Sequence, residues 1–381
     1  MECIIKRIVN KRTICLLTNT RYAHTNPEPY YRKNNKNILD KEKKPHPYGK
    51  IHNWRSKQIF IEDMLKQVIY NKDGLVGLNK PYGISARTLD DNPNRNKSPS
   101  GIVHEVSYTL SDVLPMLAKE LNYESLRIIR TPEKFTSGVT LLGSDEKIEA
   151  GVVKSLRIAE ADRIIPRTYW TITRRVPGQP QGEKRLAMKL KRPEHFKRPV
   201  PVIVEKWGSN ERERGEIKIL NIQYKIIGNS THNLASLVEI KSSTTQWHAI
   251  RLFAASNLLC PILGDRIYGS RSQIVLGKLI EINPLIEAAH VPPKNEKEIL
   301  DLIKIQSYRD TIIPAHIHLK EIYLPSFLKK DNNVTIKAPL FPYFEYTLDR
   351  LRIDTKSPPS SSIDSNENVT VNEDVVNKNV Q

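Results

Sequence analysis

Cysteine is scarce in this sequence: Cys3, Cys15 and Cys260 are the only three in 381 residues. Two of them lie in an amino-terminal segment expected to be removed, so neither a disulfide framework nor a cysteine-based zinc site is available. Long apolar runs are missing too. None approaches the roughly 18 to 20 residues that cross a bilayer, which excludes an expected membrane span. No Gly-rich phosphate loop follows the first strand-like run, which disfavours a doubly wound nucleotide fold. Internal repeats are absent. Acidic residues are outnumbered, with 42 Asp and Glu against 60 Lys and Arg, a net charge of +18.

That cationic excess is the informative part of the composition. It suits a polyanionic partner, because each neutralised phosphate releases condensed counterions. Simple solubilisation, or the basic habit of organellar proteins, is the competing explanation. Hydrophobic residues at 39% and charged residues at 27% provide for a packed core of ordinary size.

The amino end reads as an address. Residues 1–25 carry Lys6, Arg7, Lys11, Arg12 and Arg21 against the single acid Glu2, with Ile4, Ile5, Ile8, Val9, Ile14, Leu16 and Leu17 interleaved. This is the amphipathic, acid-poor pattern of a mitochondrial presequence, and it implies the mitochondrial matrix. A secretory signal needs an unbroken apolar centre, which Lys11 and Arg12 interrupt. Residues 26–70 read as a basic extension and 71–354 as one patterned body. Residues 355–381, rich in Ser, Pro, Asn and acids, read as a disordered tail.

Within the body, short apolar runs at 74–81, 126–130 and 139–142 predict strands. So do 168–176, 185–190, 200–204, 216–227, 234–240, 317–324 and 334–336. Helical spacing appears over 107–121, 146–163 and 246–256. Strands with interspersed helices, lacking regular β-α alternation, predict an α+β fold around a mixed, largely antiparallel sheet with flanking helices.

Four segments then carry a family resemblance, in order and with matching gaps. They are Leu78-Asn79-Lys80-Pro81-Tyr82-Gly83, Thr136-Ser137-Gly138-Val139, Arg167-Thr168-Tyr169-Trp170, and His248-Ala249-Ile250-Arg251 followed by Pro261-Ile262-Leu263-Gly264-Asp265-Arg266-Ile267-Tyr268-Gly269. Together they resemble the NKPxG turn, TSG motif, K-x-Y strand and HQIR…GDxxYG segments of the RluA family of RNA pseudouridine synthases, and within it a divergent mitochondrial branch acting on messenger RNA. The resemblance implies the pseudouridine synthase fold with a central RNA-binding cleft. It also implies isomerisation of uridine to pseudouridine in RNA, with neither metal nor organic cofactor.

Such chemistry needs a carboxylate at the ribose and uracil, a cation to orient it, and a hydroxyl to handle the C5 proton. The resemblance assigns the hydroxyl to Tyr169 and the cation to Arg251. It carries Lys80, Thr136, Ser137 and His248 over as substrate contacts. Counting back from Gly138, the family's catalytic aspartate falls on Glu133, with Arg130, Thr131 and Pro132 replacing the residues before it. Glutamate keeps the charge but adds a methylene, and misplacement by about 1 Å can cost on the order of 100-fold.

Two readings follow. In one, Glu133 serves as the carboxylate of a synthase on mitochondrial messenger or ribosomal RNA. In the other, the fold is a catalytically silent RNA-binding relative supporting mitochondrial RNA metabolism or ribosome assembly. A protein-interaction scaffold is a third class, which would be nearly indifferent to salt where RNA binding is not. Basic residues Arg174, Arg175, Lys184, Arg185, Lys189, Lys191 and Arg192 after Tyr169 extend the expected RNA surface.

Overall fold

The structure, a computed structural model, describes residues 45–87, 106–192 and 199–355. The expected presequence, the first part of the basic extension and all but the first residue of the expected tail lie outside the described residues. The described residues fall in the compact unit that begins at Pro45.

The chain opens with α1 (Lys57–Lys66), the hairpin β1 (Val68–Lys72) and β2 (Leu75–Lys80), and α2 (Leu110–Glu120). Then come β3 (Arg127–Arg130), β4 (Ser137–Gly143), α3 (Glu146–Ala161), β5 (Arg167–Arg174), β6 (Gln181–Lys191) and β7 (Val200–Val204). After α4 (Ser209–Glu213), β8 (Ile217–Asn229) and β9 (Ala235–Ser242) lead into α5 (Ala249–Ser256) and a separate hairpin, β10 (Ser272–Val275) with β11 (Lys278–Glu281). The chain closes with α6 (Lys297–Ile303), β12 (Ile317–Leu324), β13 (Val334–Lys337) and α7 (Pro342–Arg350).

Eleven strands form one sheet in the order β1-β2-β4-β12-β5-β9-β8-β6-β7, with β13 beside β12 and β3 beside β4. Among the described residues its pairings are antiparallel except that of β4 with β12, where Ser137 faces His318 and Gly138 faces Leu319. This contact explains the glycine of the TSG segment. Gly138 has φ +114°, and a Cβ there would lie 2.2 Å from the Leu319 carbonyl oxygen. No side chain fits between these two backbones.

The strands form for different local reasons. In β8 the residues Leu220, Ile222, Tyr224 and Ile226 are buried at every second position, the alternation of a half-covered strand. By contrast β2 and β4 are buried at every position, in a part of the sheet covered on both faces, and their polar residues Asn79, Lys80, Ser137 and Thr140 are buried with the apolar ones. Helix α3 starts where Asp145 accepts a 2.9 Å hydrogen bond from the Ile148 amide, satisfying one of the helix's free donors. The Thr109 amide donates to Asp112 at 2.8 Å, a capping contact at the start of α2.

Two apolar cores result. The larger includes Ile172, Leu237, Phe253, Leu263 and Phe344. The smaller joins Phe60 and Met64 of α1 to Val113 and Leu117 of α2 and to Val76, Leu78 and Leu142 of the sheet.

The stretch assigned to the basic extension is packed from Pro45 onward. Tyr48 is buried, with its hydroxyl 2.7 Å from Thr347 Oγ1. His52 Nε2 bonds the Tyr82 carbonyl at 2.8 Å. These anchors are single aromatic and imidazole rings rather than a repeating apolar face, so hydrophobic periodicity gives no signal there.

Candidate active site

One cleft gathers residues from four separated segments: Glu133 and Thr136, Tyr169, His248 and Arg251, and Ile317. Of the seven residues singled out from the sequence, Glu133, Thr136, Tyr169, His248 and Arg251 line it. Lys80 and Ser137 lie behind it.

Arg251 arrives on α5, whose start is abrupt. Trp247 and His248 both take left-handed backbone conformations, at φ +50° and +59°, and the α-helix runs only from Ala249. The expected helix over 246–256 is therefore a strained turn followed by a shorter helix. Ala249 through Ala255 are all buried, so Arg251 is carried into the interior at 3% exposure. It is not a surface cation.

A buried guanidinium needs a partner, and here that partner is Asp265. Arg251 Nε donates to Asp265 Oδ2 at 2.9 Å and Nη2 donates to Oδ1 at 2.6 Å. Asp265 Oδ1 also accepts the amides of Ile267 and Tyr268 at 2.9 and 3.1 Å. Burial acts to lower the pKa of Arg251, but the adjacent Asp265 carboxylate overrides it and the net direction is upward. For Asp265 burial acts upward, yet Arg251 and the two amides hold its carboxyl below the usual range. Both groups are thus charged, a bidentate pair that fixes the plane of the guanidinium.

Asp265 was not among the residues predicted for the site. In the sequence it appears only as a member of the GDxxYG segment. Its actual partner lies 14 residues back.

The remaining Nη1 of Arg251 faces the cleft. It lies 3.9 Å from Glu133 Oε2 and 3.2 Å from His248 Nδ1. His248 Nδ1 is itself 2.9 Å from the same Glu133 oxygen. One ring nitrogen cannot donate to Glu133 and accept from Arg251 at once, so these contacts are alternatives. Tyr169 is buried; burial pushes its phenol pKa up, Arg167 opposes this and Glu133 adds to it. It therefore stands in the cleft as a neutral hydroxyl. The cavity volume is about 20 Å³, room for little more than a water. A uracil ring enters only after the His248 side chain, 40% exposed, or the Glu133 loop moves aside.

That loop is held from beneath. Lys80 is fully buried, and its ammonium donates to the carbonyls of Glu133 and Ile84 at 3.1 Å, Pro81 at 3.3 Å and Lys134 at 3.4 Å. Burial pushes its pKa down to about 7, against the upward pull of Glu133. Lys80 thus ties the Pro81-Tyr82-Gly83 turn to the Glu133 loop and has no face toward a substrate. Ser137 is likewise turned inward, with Oγ 2.9 Å from His318 Nδ1 and 3.1 Å from the Tyr343 hydroxyl. At the loop's ends, the Thr136 amide donates to the Glu133 carbonyl at 3.0 Å and Thr131 Oγ1 meets Thr140 Oγ1 at 2.9 Å.

The basic residues after Tyr169 do not form one surface. Arg174 is buried and Arg175 is half-buried, while Lys189 pairs with Glu211 at 2.6 Å and Glu216 at 3.6 Å. Lys184 and Arg185 remain exposed on β6. Among the described residues no group of three or more His, Cys, Asp or Glu is disposed to hold a metal ion, and no helix is long and apolar enough to cross a membrane.

Comparison with known proteins bears on this geometry. No protein-family model matches the chain. The human mitochondrial mRNA pseudouridine synthase RPUSD3 is 26% identical over 298 residues, covering 77% of this chain and 78% of that protein. The rat mitochondrial pseudouridylate synthase RPUSD4 is 24% identical over 313 residues, covering 80% of this chain and 74% of that protein. Among solved structures, human RNA Pseudouridylate Synthase Domain Containing 4 superposes with a TM-score of 0.57 at 22% identity, over 78% of this chain and 97% of that one. The α+β architecture, with its large and mostly antiparallel sheet, is therefore the pseudouridine synthase fold. Over more than three quarters of its length the chain is similar to mitochondrial pseudouridine synthases of the RluA type.

Proposed function

We propose that this chain is an RNA pseudouridine synthase of the mitochondrial matrix, isomerising uridine to pseudouridine in mitochondrial messenger or ribosomal RNA. The observation that carries the proposal is the convergence of a carboxylate, a buried guanidinium and a buried phenol on one cleft: Glu133, Arg251 and Tyr169. The named activities of the two mitochondrial relatives support the reaction and the RNA substrate. The acid-poor amphipathic pattern of residues 1–25 supports the matrix.

In this reading the target uridine leaves its stack and enters the cleft as His248 withdraws from Glu133. Glu133 acts on the ribose and uracil as nucleophile or base while the N1–C1′ bond breaks. Arg251, held in one orientation by Asp265, steers the carboxylate from its free Nη1. The uracil turns, C5 bonds to C1′, C5 loses a proton and N1 gains one. Tyr169 begins as a neutral hydroxyl packed beside the reacting ring and relays the C5 proton, accepting it as its own hydroxyl proton passes to the Glu133 carboxylate. Lys80 sets the path of the Glu133 loop from behind the cleft, while Thr136 lines the cleft and its amide bonds the Glu133 carbonyl.

The test is tritium release from mitochondrial transcripts labelled with tritium at uridine C5, using protein without residues 1–25. Release by the unaltered chain and its loss in Glu133→Gln are expected. No release, with RNA still bound in a salt-dependent way, would replace the proposal with a catalytically silent RNA-binding relative. Release that survives in Glu133→Gln would move the carboxylate's role elsewhere.

A further inference from the structure

A second cavity, of about 370 Å³, shares the turn that carries Asp265. Gly269 and Ser270 line it together with Arg174, Arg175, Lys294 and Glu296. It lies within the size range of small-ligand pockets, and three cations stand in it against one acid.

The two arginines have bonding capacity to spare. Arg174 is 4% exposed; its Nη1 donates to the Lys294 carbonyl at 2.9 Å and its Nη2 to the Gly269 carbonyl at 3.2 Å. Arg175 Nη1 donates to the Leu259 carbonyl at 2.9 Å and to Ser272 Oγ at 3.2 Å. The Nε of each arginine is buried and makes no hydrogen bond. Glu296, the only acid lining the cavity, stands off at 3.9 Å from Arg174 and 3.8 Å from Arg175, and its Oε2 is buried without a hydrogen bond.

Arg251 and Asp265, a few residues away, show what a closed pair looks like, with contacts of 2.6 and 2.9 Å. The looser arrangement leaves guanidinium donors buried and unmet, which is costly unless further oxygens complete it. Arg175 carries a second cost. Its φ is +71°, a left-handed conformation that disfavours any side chain. Ile274 and Val291, both exposed, add an apolar wall against which a sugar or base can rest.

We propose that this cavity binds a backbone phosphate of the RNA strand that flanks the target uridine, through Arg174, Arg175 and Lys294. Arg174 Nη2 bonds the Gly269 carbonyl, four residues beyond the Asp265 that holds Arg251, so the cavity adjoins the cleft through this turn and the bound phosphate belongs to a nucleotide a short way along the RNA. A backbone phosphodiester, with two anionic non-bridging oxygens, offers acceptors to the unbonded donors that one distant carboxylate does not meet. The inference rests on the RNA reading above.

The experiment is a fluorescence-anisotropy titration of a fluorescein-labelled, uridine-containing oligoribonucleotide with the chain, repeated across salt concentrations. Arg175→Gly removes the guanidinium while relaxing the left-handed backbone. Glu296→Gln removes the competing carboxylate. Arg175→Gly is expected to weaken binding severalfold and to reduce the salt slope by about one. Glu296→Gln is expected to tighten it severalfold. A merely structural ion cluster would lower the melting temperature of both variants and move neither affinity, and that result overturns the proposal. Should Arg175→Gly fail to fold, Glu296→Gln decides alone, and unchanged affinity there overturns it. Inorganic phosphate alone, raising the melting temperature in a Glu296-sensitive way while both variants bind RNA normally, would assign the cavity to free phosphate instead. Absence of RNA binding by the unaltered chain would defeat the RNA reading itself, an outcome distinct from all of these.

Discussion

The cleft is built from two halves held in opposite ways. On one side, Arg251 and Asp265 are 3% and 1% exposed and joined by two hydrogen bonds, with two backbone amides completing the carboxylate. On the other, the Glu133 side chain is 29% exposed and its short contact is with a half-exposed imidazole at 2.9 Å. The cation is fixed and the carboxylate is loose. The family resemblance follows the same division: the GDxxYG turn is intact, while Arg130, Thr131, Pro132 and Glu133 have replaced the usual loop. A buried ionic pair tolerates little change because losing one partner strands the other charge. A half-exposed acid on a loop anchored by Lys80 through backbone carbonyls can change identity without disturbing what holds it.

The most direct way to break this comparison is Asp265→Ala. Stranding the buried guanidinium should cost about 3–5 kcal/mol in denaturant unfolding and abolish tritium release with it. A variant that keeps wild-type stability would show that the two halves are not unequal after all. Glu133→Gln should do the reverse. Unfolding free energy stays within about 0.5 kcal/mol, as at other exposed sites, while tritium release falls on the order of 100-fold. A loss of stability as large as that of Asp265→Ala would mean that the loop is as structural as the turn.

A third prediction concerns the rigid side of the cleft. Beneath β4 and β12, His316 Nε2 meets Thr347 Oγ1 at 2.7 Å and His318 Nδ1 meets Ser137 Oγ at 2.9 Å. Burial pushes both imidazoles down to about 4, only partly offset by their backbone hydrogen bonds. In the unfolded chain each titrates near 6.5, so between these values the unfolded state binds more protons. Their contribution is complete above about pH 6.5 and is lost as pH falls toward 4. At pH 5 the loss is roughly 2 kcal/mol per imidazole. Denaturant titrations at pH 7 and pH 5 measure it, and His318→Gln should remove about half of the difference. A flat profile between those values would show that this network is not held neutral.

Much of the sheet was legible in the sequence, because it is written in local signals. Apolar alternation in β8 and the apolar stretches within β2 and β4 are visible without coordinates, whereas the close approach to Leu319 that requires Gly138 is not. The cleft itself was legible only as residue types. Glu133, Tyr169 and Arg251 were read at their positions, but the bidentate partner of Arg251 was not, because a contact spanning a turn leaves no periodicity. Lys80 and Ser137 were read as substrate contacts and are instead buried, bonded to backbone and side chains behind the cleft. Residue identity alone does not say which way a side chain turns. The anchoring of 45–54 by Tyr48, His52 and Trp54 escaped notice for the same reason that a lone aromatic carries no pattern.

The smallest effect should come from His248, where the two halves meet. Its left-handed backbone, at φ +59°, disfavours any side chain by roughly 1–2 kcal/mol. Its contact with Glu133 is half-exposed, and such contacts return about 0–1 kcal/mol. His248→Gly relaxes the first and forfeits the second, and glycine is tolerated at the start of a helix. The net change in unfolding free energy should therefore fall within about 0.5 kcal/mol. Activity should respond more than stability does. With the imidazole gone, Glu133 has only Arg251 Nη1, now at 3.9 Å, to turn toward. The cleft opens to substrate but loses a contact, so KM should rise severalfold while kcat changes little. Steady-state tritium release against RNA concentration separates the two constants. A collapse of kcat with KM unchanged would show that His248 acts in the chemistry and that the loose half has a second essential group.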